Sequence, residues 1–152
     1  MRVDIGDLDA LAPERLRAAR ALCNTARASE LFDRAMTATA ECRGQVALTD
    51  DGSVAGVVLS GLVAGALGTG ALLWVAVQPG LRRRGIGRAL VAGALGGFDR
   101  GGVRLVVAEL AGDPATGPIA ALLAGAGFER EAEIADFYRD GVPLILWRRR
   151  FR

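Results

Sequence analysis

The sequence predicts one α/β domain, and three observations predict it. An apolar run from Leu72 to Val77 ends at Pro79, passes through a basic, glycine-bearing turn, and gives way at Ile86 to a helical period carried by Leu90 and Ala94. Two strand-like stretches fold back on themselves, one around Asp51-Gly52 and one around Asp140-Gly141, dipeptides that favour tight hairpins. Two amphipathic helical patterns precede the first hairpin. At 152 residues the chain has the length of one domain and enough of it to bury a core.

Taken in order, Met1 to Ile5 suits a short first strand. Pro13 to Ala26 reads as a helix, because proline fits a first turn and Leu16, Ala19, Leu22, Cys23 and Ala26 share one face. Ser29 is placed to cap a second helix that turns Leu31, Ala35 and Met36 inward. Gln45 to Thr49 alternates as a strand, and Val54 to Ser60 returns beside it. Gly61 to Gly70 reads as a long glycine-rich connection into the central strand at Leu72 to Val77. The helix from Ile86 is expected to end at Gly96-Gly97, with Phe98 packing back on it. Val103 to Leu110 is the next strand and carries Glu109 near its end. Thr116 is placed to cap a helix with Pro118 in its first turn and Ile119, Leu122, Leu123 and Ala126 inward; Gly127 stops it. Phe128 to Phe137 and Val142 to Phe151 form the last hairpin, whose Arg148-Arg149-Arg150 alternates as a solvated edge.

Composition narrows the function. All 19 basic residues are arginine and histidine is absent, so neither a lysine nor a histidine can act as base, nucleophile or metal ligand. A net charge of +2 gives no argument for nucleic-acid binding. Cys23 and Cys42 form no metal or redox motif, and charges at Arg2 and Asp4 leave no signal peptide, which together suit a reducing cytoplasm. The stretch from Gly52 to Leu81 has no charge and could span a bilayer by length. Gly56, Gly61, Gly65, Gly68 and Gly70 interrupt it and two strand-like runs flank a turn, which favours buried strands instead, and no membrane association is expected.

The turn after the central strand reads Arg82-Arg83-Arg84-Gly85-Ile86-Gly87-Arg88. Glycines at a helix start let backbone N–H groups approach a ligand, the helix dipole is positive there, and the arginines add charge. These features predict a phosphate or pyrophosphate site. The spacing fits neither a P-loop, which needs Gly-Lys-Ser/Thr, nor the G-x-G-x-x-G dinucleotide fingerprint. A plain helix start with solvated arginines is the simpler alternative.

The stretch Val77-Gln78-Pro79 followed by Arg82-Arg83-Arg84-Gly85-Ile86-Gly87 resembles the acetyl-CoA-binding motif of the GNAT superfamily of N-acetyltransferases, Arg/Gln-x-x-Gly-x-Gly/Ala after a strand ending Val-x-Pro. Gly127-Phe128 and the Asp136 to Gly141 hairpin agree with the same family, and the resemblance runs from about Val46 to Arg150. It implies a single GNAT-like domain with a mixed, mostly antiparallel central sheet flanked by helices. It also implies transfer of an acetyl group from acetyl-CoA to a primary amine on a small molecule or peptide. Val75, Ala76 and Val77 would receive the pantetheine and thioester through backbone groups. Arg83 to Gly87 would cradle the pyrophosphate, with Arg82, Arg84 and Arg88 adding charge. Edge-strand pairing into a homodimer is compatible with that fold, though no residue demands it.

The chain departs from the family at one place. Many members carry a tyrosine four residues before the Gly of Gly-Phe as acid for the leaving thiolate, where this sequence has Leu123. Tyr138 is the candidate substitute acid and Glu109 the candidate base, with Asp136 and Glu41 behind them. A non-catalytic acyl-CoA-binding module on the same fold is the alternative that Leu123 favours.

Overall fold

A computed structural model describes every residue from Met1 to Arg152. The strands are β1 (Asp4–Asp7), β2 (Arg43–Leu48), β3 (Val54–Leu62), β4 (Thr69–Val77), β5 (Leu105–Ala111), β6 (Glu129–Arg139) and β7 (Val142–Arg150). The helices are α1 (Pro13–Leu22), α2 (Ala26–Ala35), α3 (Ile86–Arg100) and α4 (Gly117–Gly125). One seven-stranded sheet runs β1-β2-β3-β4-β5-β7-β6. Only β4 and β5 are parallel, because α3 returns the chain to the same end of the sheet between them. The sheet is therefore mixed and mostly antiparallel, as expected.

Two apolar layers hold it. On one face α3 and α4 bring Ile86, Leu90, Val91, Leu95, Phe98 and Leu123 against Ala55, Val58, Leu72 and Val106. On the other, α1 and α2 bring Leu22, Leu31 and Phe32 against Val46, Val57 and Leu59. Strand β3 is buried on both faces from Val54 to Ser60, which is why its sequence is an unbroken apolar run. The uncharged stretch is thus two sheet strands, and no helix of the chain is long and apolar enough to cross a membrane. Cys23 and Cys42 are both buried and unpaired, and burial pushes the Cys23 thiol up to about 11, so it stays protonated and unreactive at neutral pH.

Several local expectations are corrected. α1 stops at Leu22, and Thr25 rather than Ser29 caps α2, its hydroxyl accepting from the Ala28 N–H at 3.1 Å. α3 does not end at Gly96-Gly97 but runs on to Arg100. Two helical glycines cost about 2 kcal/mol. Burying Leu95 and Phe98 contributes more, at about 1.5–3 kcal/mol each. Phe98 is 2% exposed and lies so close that a Cβ on Gly70 would sit 2.8 Å from its ring. The glycine-rich connection shrinks to residues 63–68, because β3 and β4 stay paired as far as Leu62 and Gly70. The Thr116 hydroxyl does not cap α4 by accepting. It donates to the Ala111 and Asp113 carbonyls, while the Asp113 carboxylate accepts from Ala115 N–H. β7 is no edge: it lies between β5 and β6, with Arg148 held by Glu131 at 2.6 Å and Arg149 over the Phe151 ring. The edge is β6.

Candidate active site

The site begins where the sheet opens. β4 and β5 are paired only from Thr69↔Leu105 to Leu72↔Ala108. The β3–β4 register then shifts: Ser60 faces Leu72 but Leu59 faces Trp74, so Leu73 is the extra residue of a bulge. The bulge turns the end of β4 away from β5, which stays on β7 as far as Ala111↔Leu144. Beyond the bulge, Gln78 N–H donates to the Ala55 carbonyl at 2.8 Å. The alternation of an antiparallel ladder then gives the Ala76 backbone to β3 and points the N–H and C=O groups of Val75 and Val77 into the gap. Two strand residues thus present an open edge inside the domain, the arrangement that accepts an extended, amide-bearing chain. Of the three predicted residues, Ala76 spends its backbone on β3, and the Val77 carbonyl accepts from Arg82, which leaves Val75 and the Val77 N–H open.

The gap leads to the arginine loop. A single 3-10 turn, Pro79–Leu81, reverses the chain, and the left-handed residues Arg83 (φ 64°) and Gly85 (φ 82°) aim it into α3. The first helical bond of α3 is Ala89 N–H to Gly85 C=O at 3.0 Å, and no backbone N–H from Arg82 to Arg88 has a partner in the chain. A Cβ on Gly85 would meet nothing within 4 Å, so glycine is there for its φ and the space before it is open. A Cβ on Gly87 would lie 3.2 Å from Leu122, so this glycine lets α4 approach. Ile86 is buried and anchors the helix start in the core. Arg82, Arg83, Arg84 and Arg88 are exposed, and none is paired with a carboxylate. The Arg82 Nε donates to the Val77 carbonyl at 3.4 Å. Unpartnered N–H groups, a positive dipole end and free guanidinium groups converge on one place, which is what an anion needs.

The predicted acid and base lie across the gap. Glu109 is exposed one residue past the last β4–β5 pair, and the period of β5 turns it to the face of α1 and α2, away from buried Ala108. β6 loses register between Ile134↔Leu144 and Arg139↔Val142, so four of its residues stand opposite Pro143 alone. That bulge swings out Phe137 and Tyr138, whose rings meet edge to face at 5.0 Å. Desolvation and the nearby Glu109 carboxylate push the Tyr138 hydroxyl above its usual range, and Arg27 partly offsets them. Glu109 and Arg27 thus lie within electrostatic reach of the Tyr138 hydroxyl, and no hydrogen bond or ion pair joins the three; Arg27 is a charge that the sequence did not single out. Trp74 places that arginine's segment: its indole N–H donates to the Leu22 carbonyl at 3.1 Å and ties the α1–α2 junction to the bulged part of β4. Asp136 is a residue of the β6 bulge at φ 55° whose carboxylate accepts from Gly141 N–H, and the carbonyl of Glu41 lies against Gly61 at the far end of β3. Leu123 is packed in the core at 3% exposure.

The model of the acetyltransferase (GNAT) family matches residues 9–128. The chain belongs to the GNAT family. A protein from Desulfovibrio desulfuricans assigned to the GNAT acetyltransferases is 28% identical and superposes with a TM-score of 0.85, covering 98% of this chain and 99% of its own. The ribosomal-protein-S18-alanine N-acetyltransferase of Escherichia coli shares the fold at 21% identity and a TM-score of 0.74, over 97% of this chain and 92% of that one. So does a Bacillus subtilis acetyltransferase in complex with CoA, at 16% identity and 0.78, over 99% and 100%. No curated protein matches the chain. As a GNAT protein it is an acyltransferase. Its open β4 edge and its arginine loop both lie at the end of β4 that parts from β5.

Proposed function

We propose that this domain moves an acetyl group from acetyl-CoA to a primary amine by direct transfer. One observation carries the reading: the open backbone of Val75 and the Val77 N–H lie at the end of β4, a few residues before the unpartnered N–H groups of Arg82 to Arg88. Amides of a pantetheine arm fit the first, and a pyrophosphate fits the second. The Bacillus subtilis neighbour binds CoA, and another neighbour, a streptothricin acetyltransferase from Bacillus anthracis, binds acetyl coenzyme A. Acetyl-CoA supplies a thioester carbonyl as the electrophile.

The chain's own groups supply the rest. A backbone N–H in the gap, that of Val77, donates to the oxygen that gains charge, a preorganised donor worth about 3 kcal/mol. Glu109 takes a proton from the incoming ammonium so that it attacks as a free amine. Tyr138, like any tyrosine near its usual pKa of about 10, carries its proton at neutral pH and can pass it to the departing thiolate. A thiolate leaves tolerably without help, so the acid contributes less than the positioning. The buried free thiols suit a reducing cytoplasm as the working compartment.

Thiol release from acetyl-CoA with an amine panel tests this. Glu109→Gln is expected to lower kcat/KM about 100-fold. Tyr138→Phe should lower kcat about 10-fold without changing acetyl-CoA affinity. Unchanged rates in both variants would remove these residues from the chemistry. Acetyl-CoA binding with no thiol release for any amine would favour the non-catalytic acyl-CoA-binding alternative, which buried Leu123 at the usual acid's place supports.

A further inference from the structure

We infer that the acceptor is a small amine bearing one apolar group, aromatic or branched aliphatic, and that the uncovered sheet face beside Glu109 receives that group between Leu146 and Ile134. The inference rests on reading the gap as the transfer site and Glu109 as the group that takes the proton. The layer of α1 and α2 packs on β2, β3 and β4 and takes no residue from β5, β7 or β6. Beyond the gap, that face of the sheet has no helical cover. The strand register says what lies on it. Glu109 pairs with Leu146, and Leu146 with Ala132. In the next row on the same face Ala111 pairs with Leu144, and Leu144 with Ile134. Side chains of directly paired residues share a face and lie about 4.5–5.5 Å apart, and diagonal neighbours about 7–8 Å. Leu146 is thus the direct neighbour of Glu109, and Ile134 is the diagonal neighbour of Leu146.

The far side of this strip is apolar and open. Ile134 and Phe137 are each 52% exposed and Tyr138 is 47% exposed. Phe137 and Tyr138 belong to the β6 bulge that begins after Ile134, and their rings meet at 5.0 Å. The Tyr138 hydroxyl lies in the field of Glu109, in agreement with a bulge turned to the same side. Large apolar side chains left open together mark a binding surface. Charge and area say what binds. Glu109 is exposed and forms no ion pair. Arg148, in the row beyond Leu146, is held by Glu131 at 2.6 Å. The strip therefore offers one free carboxylate and then apolar surface, which matches an ammonium followed by an apolar group. A second cation or a hydroxyl would lie on apolar carbon and lose its water. The three half-exposed side chains leave on the order of 300 Å² open. A stable dimer needs about 800 Å² from each partner, so a second copy is too large an occupant. A single aromatic ring buries about 150–250 Å² and fits.

Thiol release from acetyl-CoA with phenethylamine and isopentylamine, beside ethanolamine and putrescine, tests this. The two apolar amines are expected to exceed the two polar ones in kcat/KM by about 10-fold or more. The double variant Ile134→Thr, Phe137→Ala should raise KM for the apolar amines about 10- to 100-fold and move kcat little, so that the preference collapses. Both side chains are half-exposed, so acetyl-CoA affinity by calorimetry and the melting curve of the variant should match wild type. That match separates lost recognition from lost folding. Equal or better turnover of the polar amines, an unchanged preference in the double variant, or no thiol release with either apolar amine would each overturn the inference. The acetyl-transfer reading beneath it falls separately, if the protein fails to bind acetyl-CoA or releases no thiol with any amine of the wider panel.

Discussion

Replacing Gly85 by glutamate is expected to reduce acetyl-CoA affinity at least 100-fold while leaving the domain folded. The new side chain has room, since nothing lies within 4 Å of the Cβ position. The fold loses about 1–2 kcal/mol, because Gly85 sits at φ 82° and a side chain is strained there. An acid at the N-terminus of α3 recovers about 0.3–1 kcal/mol of that from the helix dipole. The ligand fares differently. The open space before the loop is where an anion would meet the N–H groups, and a carboxylate there both fills it and repels. Losing two charge-assisted hydrogen bonds, each worth about 1.5–3 kcal/mol, is a loss of 100-fold or more. Gly85→Ala separates the two effects, since it adds the strain without the charge and should weaken binding no more than about 10-fold. Calorimetry reads the affinities and thermal unfolding reads the fold. Equal loss in both variants would mean that the backbone conformation, not the open anion site, is what matters.

The largest expected effect on stability lies far from the loop. A Cβ on Gly61 would lie 1.9 Å from the Glu41 carbonyl oxygen and 2.2 Å from its carbon, and both belong to backbone that cannot swing away. The neighbouring Leu62 N–H donates to the Ala40 carbonyl at 2.7 Å, so the segment before β2 is tied to the end of β3. Gly61→Ala must break that contact or shift the two strands. About 3 kcal/mol is the expected loss, a fall of about 10 °C in melting temperature for a domain of this size. Gly6→Ala in β1 is the control, because its Cβ meets nothing within 4 Å and the melting temperature should hold or rise slightly. A Gly61→Ala protein that melts with wild type would show that the chain crossing at Glu41 is loose.

What was legible in the sequence was what is local. The strand, loop and helix around Val77, Gly85 and Leu90 lie in one short stretch, so periodicity and glycine placement are enough to place that strand, turn and helix start. The hairpins were legible because Asp51-Gly52 and Asp140-Gly141 mark their turns. Errors arose where distant partners decided. Phe98 carries α3 past Gly96-Gly97 because it packs against Gly70, a contact no window of sequence contains. β7 is interior only because β6 folds outside it, so Arg148 finds Glu131 instead of solvent. The bulge at Leu73 opens the gap, yet β4 reads as one continuous apolar run. Arg27 sits among other arginines of two amphipathic helices, and nothing in that pattern tells that its charge reaches Tyr138.

Calorimetric titration of the purified protein with acetyl-CoA, beside CoA and ATP, tests the central claim most directly. In the proposed binding mode the open edge of Val75 and Val77 would take the pantetheine arm, which ATP lacks, while the arginine loop would serve any of the three. Micromolar binding of acetyl-CoA and CoA, with ATP at least 10-fold weaker, is the predicted result. Equal affinity for all three, or none for acetyl-CoA, would contradict it: the loop would then be a general anion site and the gap in the sheet no part of donor recognition.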